Sequence, residues 1–200
     1  MKADPKYSII ITAYNRKEYI QAAFQSAVSQ DYSGIYEIII VSNFIDESIK
    51  AESLKNPSFV KYILDESESL GQKQANGILA AVGEWICLLE DDDLFNKNKL
   101  SEVDSIIHNT KNAGIIKNPV SSINAYDNEV LFPNPITFLY GLLDPIERFP
   151  ELKKKECQKY YKILPVQNDY FNLYASFANN SSLTIKTYIL HFSIAYFLNY

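Results

Sequence analysis

An α/β fold with a mostly parallel central sheet and helices on both faces is predicted from three observations. Short β-branched runs alternate along the chain with segments of helical spacing, one later run is apolar without alternation, and no stretch reaches the roughly 18 apolar residues that would suggest a membrane span. With 200 residues, 47% of them hydrophobic and 22% charged, the chain can bury one sizeable core, and a single domain is expected.

The elements follow in order. "YSIIITAY" from Tyr7 is a first strand, "RKEYIQAAFQSAVSQ" from Arg16 carries apolar residues at helical spacing, and "EIIIV" from Glu37 is a second strand, so the opening reads β-α-β. "FVKYIL" from Phe59 makes a third strand and "GQKQANGILAAVG" a small-residue helix ending at Gly83. "EWICLLE", from Glu84, reads as a strand buried on both faces, as a parallel sheet covered on two sides requires. "NKNKLSEVDSIIHN" then resumes helical spacing. Beyond Gly114 the rhythm changes to strand-like material with a turn near Asp127 and a mixed segment, and "NNSS" from Asn179 leads into a closing helix.

The apolar run of the fourth strand stops against Glu90, Asp91, Asp92 and Asp93. Carboxylates this close raise one another's pKa unless water or a cation compensates, so the cluster is either a solvated loop or a site for a hard cation. A third reading has Asp92 or Asp93 capping the following helix. In parallel sheets ligands sit beyond the carboxyl ends of the strands, where these acids fall. "TAYNR" places Thr12, Tyr14, Asn15 and Arg16 on that edge after the first strand, as part of an anion pocket or as an exposed turn. "LGQKQANG", with Gly71, Lys73, Gln74 and Asn76, enters a helix pointing the same way. It faces a sugar or diphosphate, or its glycines serve only a turn and close packing.

The formal charge of −5 and the scattered lysines exclude a basic stripe of the kind that binds nucleic acid. Cys87 and Cys157 show no CxxC spacing, which suits a reducing cytoplasm. A sugar-phosphate nucleotidyltransferase is set aside because "TAYNRKEY" has no glycine to form a phosphate loop.

These residues resemble the family 2 glycosyltransferases of the GT-A fold. The likeness runs from "SIIITAYNRKEYIQAAFQSAVSQ" through "EIIIVS" to "GILAAVGEWICLLEDDDLFNKNKL", and is most specific where "GILAAVGEWICLLEDDD" meets the pattern G-I-x-x-A-x-G-E-[YW]-[IV]-x-x-L-D-x-D-D. The resemblance implies an inverting, metal-dependent transfer of a sugar from a nucleotide-diphosphate donor to a glycan, lipid-linked or other hydroxyl acceptor. It puts Glu90 and Asp92 at the two acids of the family's D-x-D and Asp93 at the acid that often follows, holding Mn2+ or Mg2+. Thr12, Ala13, Tyr14, Arg16, Asn43, Gly71, Gln74 and Asp91 are then expected on the donor side. Ser42 and Asn43 stand where the family commonly has an Asp pair contacting the base, with Asp46 a few residues on.

Residues 1–110 are thus expected to form the nucleotide-sugar half of the domain and residues 111–200 an incomplete acceptor-side half. "NNSSLTIKTYIL" resembles the segment before the family's catalytic acid, and no E-D pair follows it. The base is therefore missing or lies elsewhere, with Glu147, Glu151, Glu156 and Asp169 candidates by type, and stronger donor binding than transfer is expected. A non-catalytic sugar-nucleotide or glycan-binding module derived from such a transferase is the alternative. The apolar "YILHFSIAYFLNY" is expected to pack on downstream residues, on the cytoplasmic face of a membrane or on a second copy.

Overall fold

The structure, a computed structural model, describes residues 4–110, 113–118, 122–123, 130–131, 181 and 183–198. The chain separates into two compact units, Met1–Asn118 with Asn179–Tyr200, and Pro119–Ala178.

The first unit holds, in chain order, β1 (Tyr7–Ala13), α1 (Lys17–Val28), β2 (Tyr36–Ser42), α2 (Glu47–Lys55), β3 (Val60–Leu64), α3 (Leu70–Ala80), β4 (Trp85–Glu90), α4 (Lys99–Asn109) and β5 (Ile115–Lys117). In the second unit β6 (Ser122–Ile123) pairs antiparallel with β7 (Val130–Leu131). The chain then returns to the first unit as β8 (Leu183–Lys186) and α5 (Thr187–Leu198).

Six strands make the main sheet in the order β3-β2-β1-β4-β8-β5. The pairings β3 to β2, β2 to β1 and β1 to β4 are parallel, while β8 runs antiparallel to both β4 and β5. This is the predicted mostly parallel sheet, and its two faces carry separate cores.

On one face Ile9, Ile11 and Ala13 of β1 meet Ile20, Ala23, Phe24 and Ala27 of α1 together with Leu100 and Val103 of α4. The α1 residues recur at helical spacing, so the helix buries one stripe, and each large apolar side chain buried there contributes about 1.5–3 kcal/mol. On the other face Ile10, Ile39, Val41, Ile86 and Leu88 meet Ile78 of α3, with Leu190 and Ile194 of α5 against them. α3 lies close to the sheet because Gly77 has no side chain: a Cβ there would stand 2.5 Å from Ile10 Cγ2.

The amino-terminal ends of the parallel strands are fastened by a buried polar knot. Glu37 is 1% exposed; it accepts from Ser8 Oγ at 2.6 Å and from the Val82 amide at 2.8 Å, and pairs with Lys61 at 2.7 Å. These bonds satisfy the turn between α3 and β4 and set where β4 begins.

α3 ends at Ala80 rather than at Gly83, and two elements differ from the sequence reading. α2 was not anticipated, because "ESIKAESLK" turns only Ile49 and Ser53 inward. The segment after "NNSS" forms β8 before the closing helix: Thr184 and Ile185 are buried, and Cys87↔Thr184 and Ile86↔Ile185 pair them with β4. α5 does close the described chain, and among the described residues no helix is long and apolar enough to cross a membrane.

Candidate active site

The chain leaves β1 toward β2 on one side and returns to β4 on the other, so the carboxyl ends of β1 and β4 lie side by side with Thr12 opposite Glu90. Such a reversal in strand order leaves a crevice between diverging connections. A cleft of about 250 Å³ opens there, lined by Thr12, Ala13, Tyr14 and Arg16 from the β1 edge, Glu90 and Asp91 from β4, and Glu68, Leu70 and Lys73 from the approach to α3.

The β1 edge is shaped by one strained residue. Asn15 has φ 58°, in the left-handed region that asparagine tolerates better than most residues. Its amide donates to Asn43 Oδ1 at 2.9 Å, and Asn43 Nδ2 donates to Asn15 Oδ1 at 2.7 Å. Both ends of the Asn43 amide thus hold the turn between Tyr14 and Arg16. Asp46, a few residues on, caps α2 through the Ser48 and Ile49 amides, each at 3.1 Å, and accepts from Gln21 Nε2 at 2.6 Å.

Arg16 reaches across to the acids. Its Nε lies 3.3 Å from Asp91 Oδ2, Nη2 pairs with Asp91 Oδ1, and Nη1 stands 2.6 Å from Asp92 Oδ2. The Asp91 side chain has no exposure, whereas that of Arg16 is 44% exposed. Burial alone would lower the Arg16 pKa, but the two carboxylates outweigh it and raise it. Burial pushes the Asp91 pKa up; Arg16 opposes this without cancelling it, and Asp92 adds to the rise. The Arg16 direction reflects attraction, and the Asp91 direction reflects a carboxylate withdrawn from water. The bidentate geometry carries the pairing.

The remaining acids form a second group. Oxygens of Glu90, Asp92 and Asp93 lie within 4.8 Å of one another, with Asp92 exposed and the other two half-buried. Ser181 ties this group to the returning chain: its Oγ accepts from the Glu90 amide at 2.9 Å and donates to Asp93 Oδ2 at 2.6 Å. Three converging carboxylates are the hard-oxygen donor set that suits Mg2+ or Mn2+, so the residues fit such a cation. Capping does not account for them, since α4 begins at Lys99 with Asn98 in the cap position. A fully solvated loop does not either, because Asp91 is buried.

Lys73, 1% exposed, points its ammonium at the backbone of the loop before α3. It donates to Asp65 O at 2.8 Å and to Ser67 O, and lies 5.3 Å from the centre of the Tyr14 ring. Asn76 Nδ2 donates to Asp65 Oδ2 at 2.8 Å, so both polar residues stiffen this loop from behind. Gly71 is exposed in the first turn of α3 and Gln74 is half-buried; neither lines the cleft.

Of the donor-side residues expected from sequence, the cleft therefore gathers Thr12, Ala13, Tyr14, Arg16 and Asp91, while Asn43 sits behind the turn. Glu68, Leu70 and Ser181 were not anticipated: no pattern marks the first two, and Ser181 joins the acids only through β8. Cys87 is buried 3.4 Å from Thr184 Oγ1, and burial raises its pKa, as for an inert packed thiol. Glu147, Glu151, Glu156, Cys157 and Asp169 lie outside the described residues.

Comparison with known proteins agrees with this arrangement. The sequence model described as "Glycosyl transferase family 2" matches residues 8–174. An uncharacterized glycosyltransferase of Rickettsia typhi is 31% identical over 112 residues, covering 56% of this chain and 35% of the relative. The Campylobacter jejuni "GalNAc(5)-diNAcBac-PP-undecaprenol beta-1,3-glucosyltransferase" is 30% identical over 101 residues, 48% of this chain and 33% of the relative. The chain thus spans about a third of the length of these relatives.

Among solved structures, Staphylococcus aureus TarS 1–349 in complex with UDP superposes with a TM-score of 0.52 at 21% identity, over 60% of this chain and 37% of that one. The Pyrobaculum calidifontis mannosyltransferase PcManGT in complex with GDP-Man and Mn2+ gives a TM-score of 0.50 at 16% identity, over 60% and 37%. The fold is that of the GT-A glycosyltransferases.

Proposed function

The chain belongs to glycosyl transferase family 2, and on that premise we propose that it transfers a sugar from a nucleotide-diphosphate donor to the hydroxyl of a glycan, lipid-linked or other acceptor, with inversion at the anomeric carbon. The observation that carries this reading is the pairing of Thr12 with Glu90, which sets the β1 turn and the acid motif on one cleft.

In this reading Glu90, Asp92 and Asp93 hold a divalent cation, Mn2+ or Mg2+, which when bound supplies positive charge to the diphosphate. Arg16 offers a guanidinium next to the same group, and Asp91 fixes that guanidinium from below. Ser181 orients Asp93 by donating to one of its oxygens. Thr12, Ala13 and Tyr14 supply the cleft wall for the nucleoside, and Gly71 and Gln74 stand at the start of the neighbouring helix.

Chemically, the acceptor oxygen forms a bond to the anomeric carbon as the bond from that carbon to the diphosphate oxygen breaks, and the electron pair leaves with the nucleotide diphosphate. A carboxylate base takes the acceptor proton. Attack opposite the leaving group inverts the centre, and holding the two reactants in register is the larger part of the acceleration. The name of the Campylobacter relative, with its PP-undecaprenol group, supports the lipid-linked choice of acceptor. A cytoplasmic location belongs to the same proposal and rests on the cysteine spacing.

The test is release of nucleotide diphosphate from UDP, GDP, dTDP and CDP sugars, with Mn2+, with and without a pool of glycan and polyprenol-linked acceptors. Acceptor-stimulated release from one donor is expected. Binding without release from any donor would favour the non-catalytic module, and neither binding nor release would end the transferase reading.

A further inference from the structure

The acid motif at the end of β4 is braced by a strand that arrives late in the chain. β8 pairs antiparallel with β4, with Thr184 opposite Cys87 and Lys186 opposite Trp85. Ser181 stands three residues before Thr184, and Glu90 three after Cys87, so the same register carries Ser181 to the position opposite Glu90.

There the ladder ends in a side chain. The Ser181 hydroxyl accepts from the Glu90 amide at 2.9 Å and donates to Asp93 Oδ2 at 2.6 Å, so one oxygen bridges the first and the last acid of the motif. The Asp93 amide donates to Glu90 O at 3.1 Å, which makes the motif a tight turn, and Ser181 is buried against it.

The other end of β8 is fastened as well. Thr187 donates through its amide to Glu84 O at 3.0 Å and through its hydroxyl to Gly83 O at 2.6 Å. Between these two points β8 has four residues, with Thr184 and Ile185 buried between β4 and β5. A strand this short, returned to the sheet from far along the chain, depends on such fastenings, because loop closure costs entropy that few local contacts repay.

Ser181 therefore answers to two groups. Its place is set by the β8 register, and its hydroxyl fixes one oxygen of Asp93; a slip of β8 by one residue would carry that hydroxyl away from the acid. In turn, the oxygens of Glu90, Asp92 and Asp93 lie within 4.8 Å of one another and repel, which a cation relieves. An Asp93 carboxylate held in one place by a cation is a firmer partner for Ser181, and so for β8.

We propose that Ser181 is a positioning residue that couples occupancy of the acid cluster by a divalent cation to the docking of β8, each stabilising the other. The inference rests on the cluster holding such a cation, as set out above.

The experiment uses Mn2+ alone as the probe, with calorimetric titration and amide hydrogen exchange on the 200-residue protein and on Ser181→Ala. If opening of β8 releases the ion, filling the site must suppress that opening: at about ten times the Mn2+ Kd, exchange of the Leu183–Lys186 amides should slow by up to about tenfold. The β3 amides, at the far edge of the sheet, should slow much less. Ser181→Ala should weaken Mn2+ binding by at least about tenfold and, at equal saturation, abolish the slowing of β8. A merely structural Ser181 would lower the thermal midpoint on substitution and leave Mn2+ affinity as in the parent. Ser181→Ala that binds Mn2+ as the parent does, slowing of β8 that survives the substitution, or β8 exchange in the parent that ignores Mn2+ would overturn the inference alone. The last of these needs no variant and decides the question should Ser181→Ala fail to fold. A parent that binds no Mn2+ would instead remove the cation reading, and this inference with it.

Discussion

Lys73 offers a sharp test of how the cleft is held together, through the substitution Lys73→Met. The change keeps length and apolar stem but removes an ammonium that is 1% exposed and bound to the carbonyls of Asp65 and Ser67. Two hydrogen bonds from a charged donor are worth roughly 1.5–3 kcal/mol each, about 3–6 kcal/mol together. Asp65 and Ser67 are only half-buried, so water recovers part of this, and a net destabilisation of about 2–3 kcal/mol is expected. For a chain of this size that lowers Tm by about 5–10 °C, read by circular dichroism. Nucleotide affinity measured well below the transition should fall as well, since Ser67 and Glu68 lose their anchor. An unchanged Tm would refute the account of Lys73 as the clamp on this loop. A lowered Tm with unchanged nucleotide affinity would show that the clamp does not serve the cleft.

Three further outcomes are expected. Gly77→Ala adds a Cβ 2.5 Å from Ile10 Cγ2, inside the packed face; the overpacking cost of about 1–3 kcal/mol should exceed the helix-propensity gain of about 1 kcal/mol, leaving urea stability reduced. Arg16→Gln frees Asp92 and removes the bidentate pair with Asp91, so Mn2+ affinity without nucleotide should rise by up to about tenfold while nucleotide affinity falls. Separate titrations of the two ligands would show it, and a parallel fall in both would contradict it. For Asp46, burial acts to raise the pKa but is outweighed by hydrogen bonds from Gln21 and the Ile49 and Ser48 amides, so its folded-state pKa is depressed. Its contribution, about 0.5–1 kcal/mol over Asp46→Asn, should be full above the unfolded value near 4 and vanish as pH falls through the lower folded value, in paired urea titrations.

The parallel part of the sheet was legible because β1, β2 and β4 are buried on both faces, so each carries a central run of consecutive apolar residues with polar ones toward its ends. α2 escaped notice because a helix resting on the rim of the sheet needs only Ile49 and Ser53 inward, too weak a period to read. β8 was hidden for a different reason: "LTIK" is short, and its pairing with β4 spans 97 residues, as between Cys87 and Thr184. The acid motif stood out locally, since Glu90 to Asp93 interrupt an apolar run. What each polar residue does there was not local. Asn43 serves Asn15 rather than standing free, Lys73 turns inward, and Ser181 meets Asp93 only after the intervening unit.

The central claim is that nucleotide diphosphate binds this cleft through a divalent cation held by Glu90, Asp92 and Asp93. The most direct measurement is calorimetric titration of the nucleotide diphosphate that binds best, with Mn2+ and then with excess chelator, on the parent and on Asp92→Asn. Asparagine preserves the shape and removes the charge that holds a hard cation. The account predicts tight binding by the parent only with Mn2+, and weak binding by Asp92→Asn under both conditions with an unchanged thermal midpoint. Binding that ignores the chelator, or an Asp92→Asn variant that binds as the parent does, would contradict it.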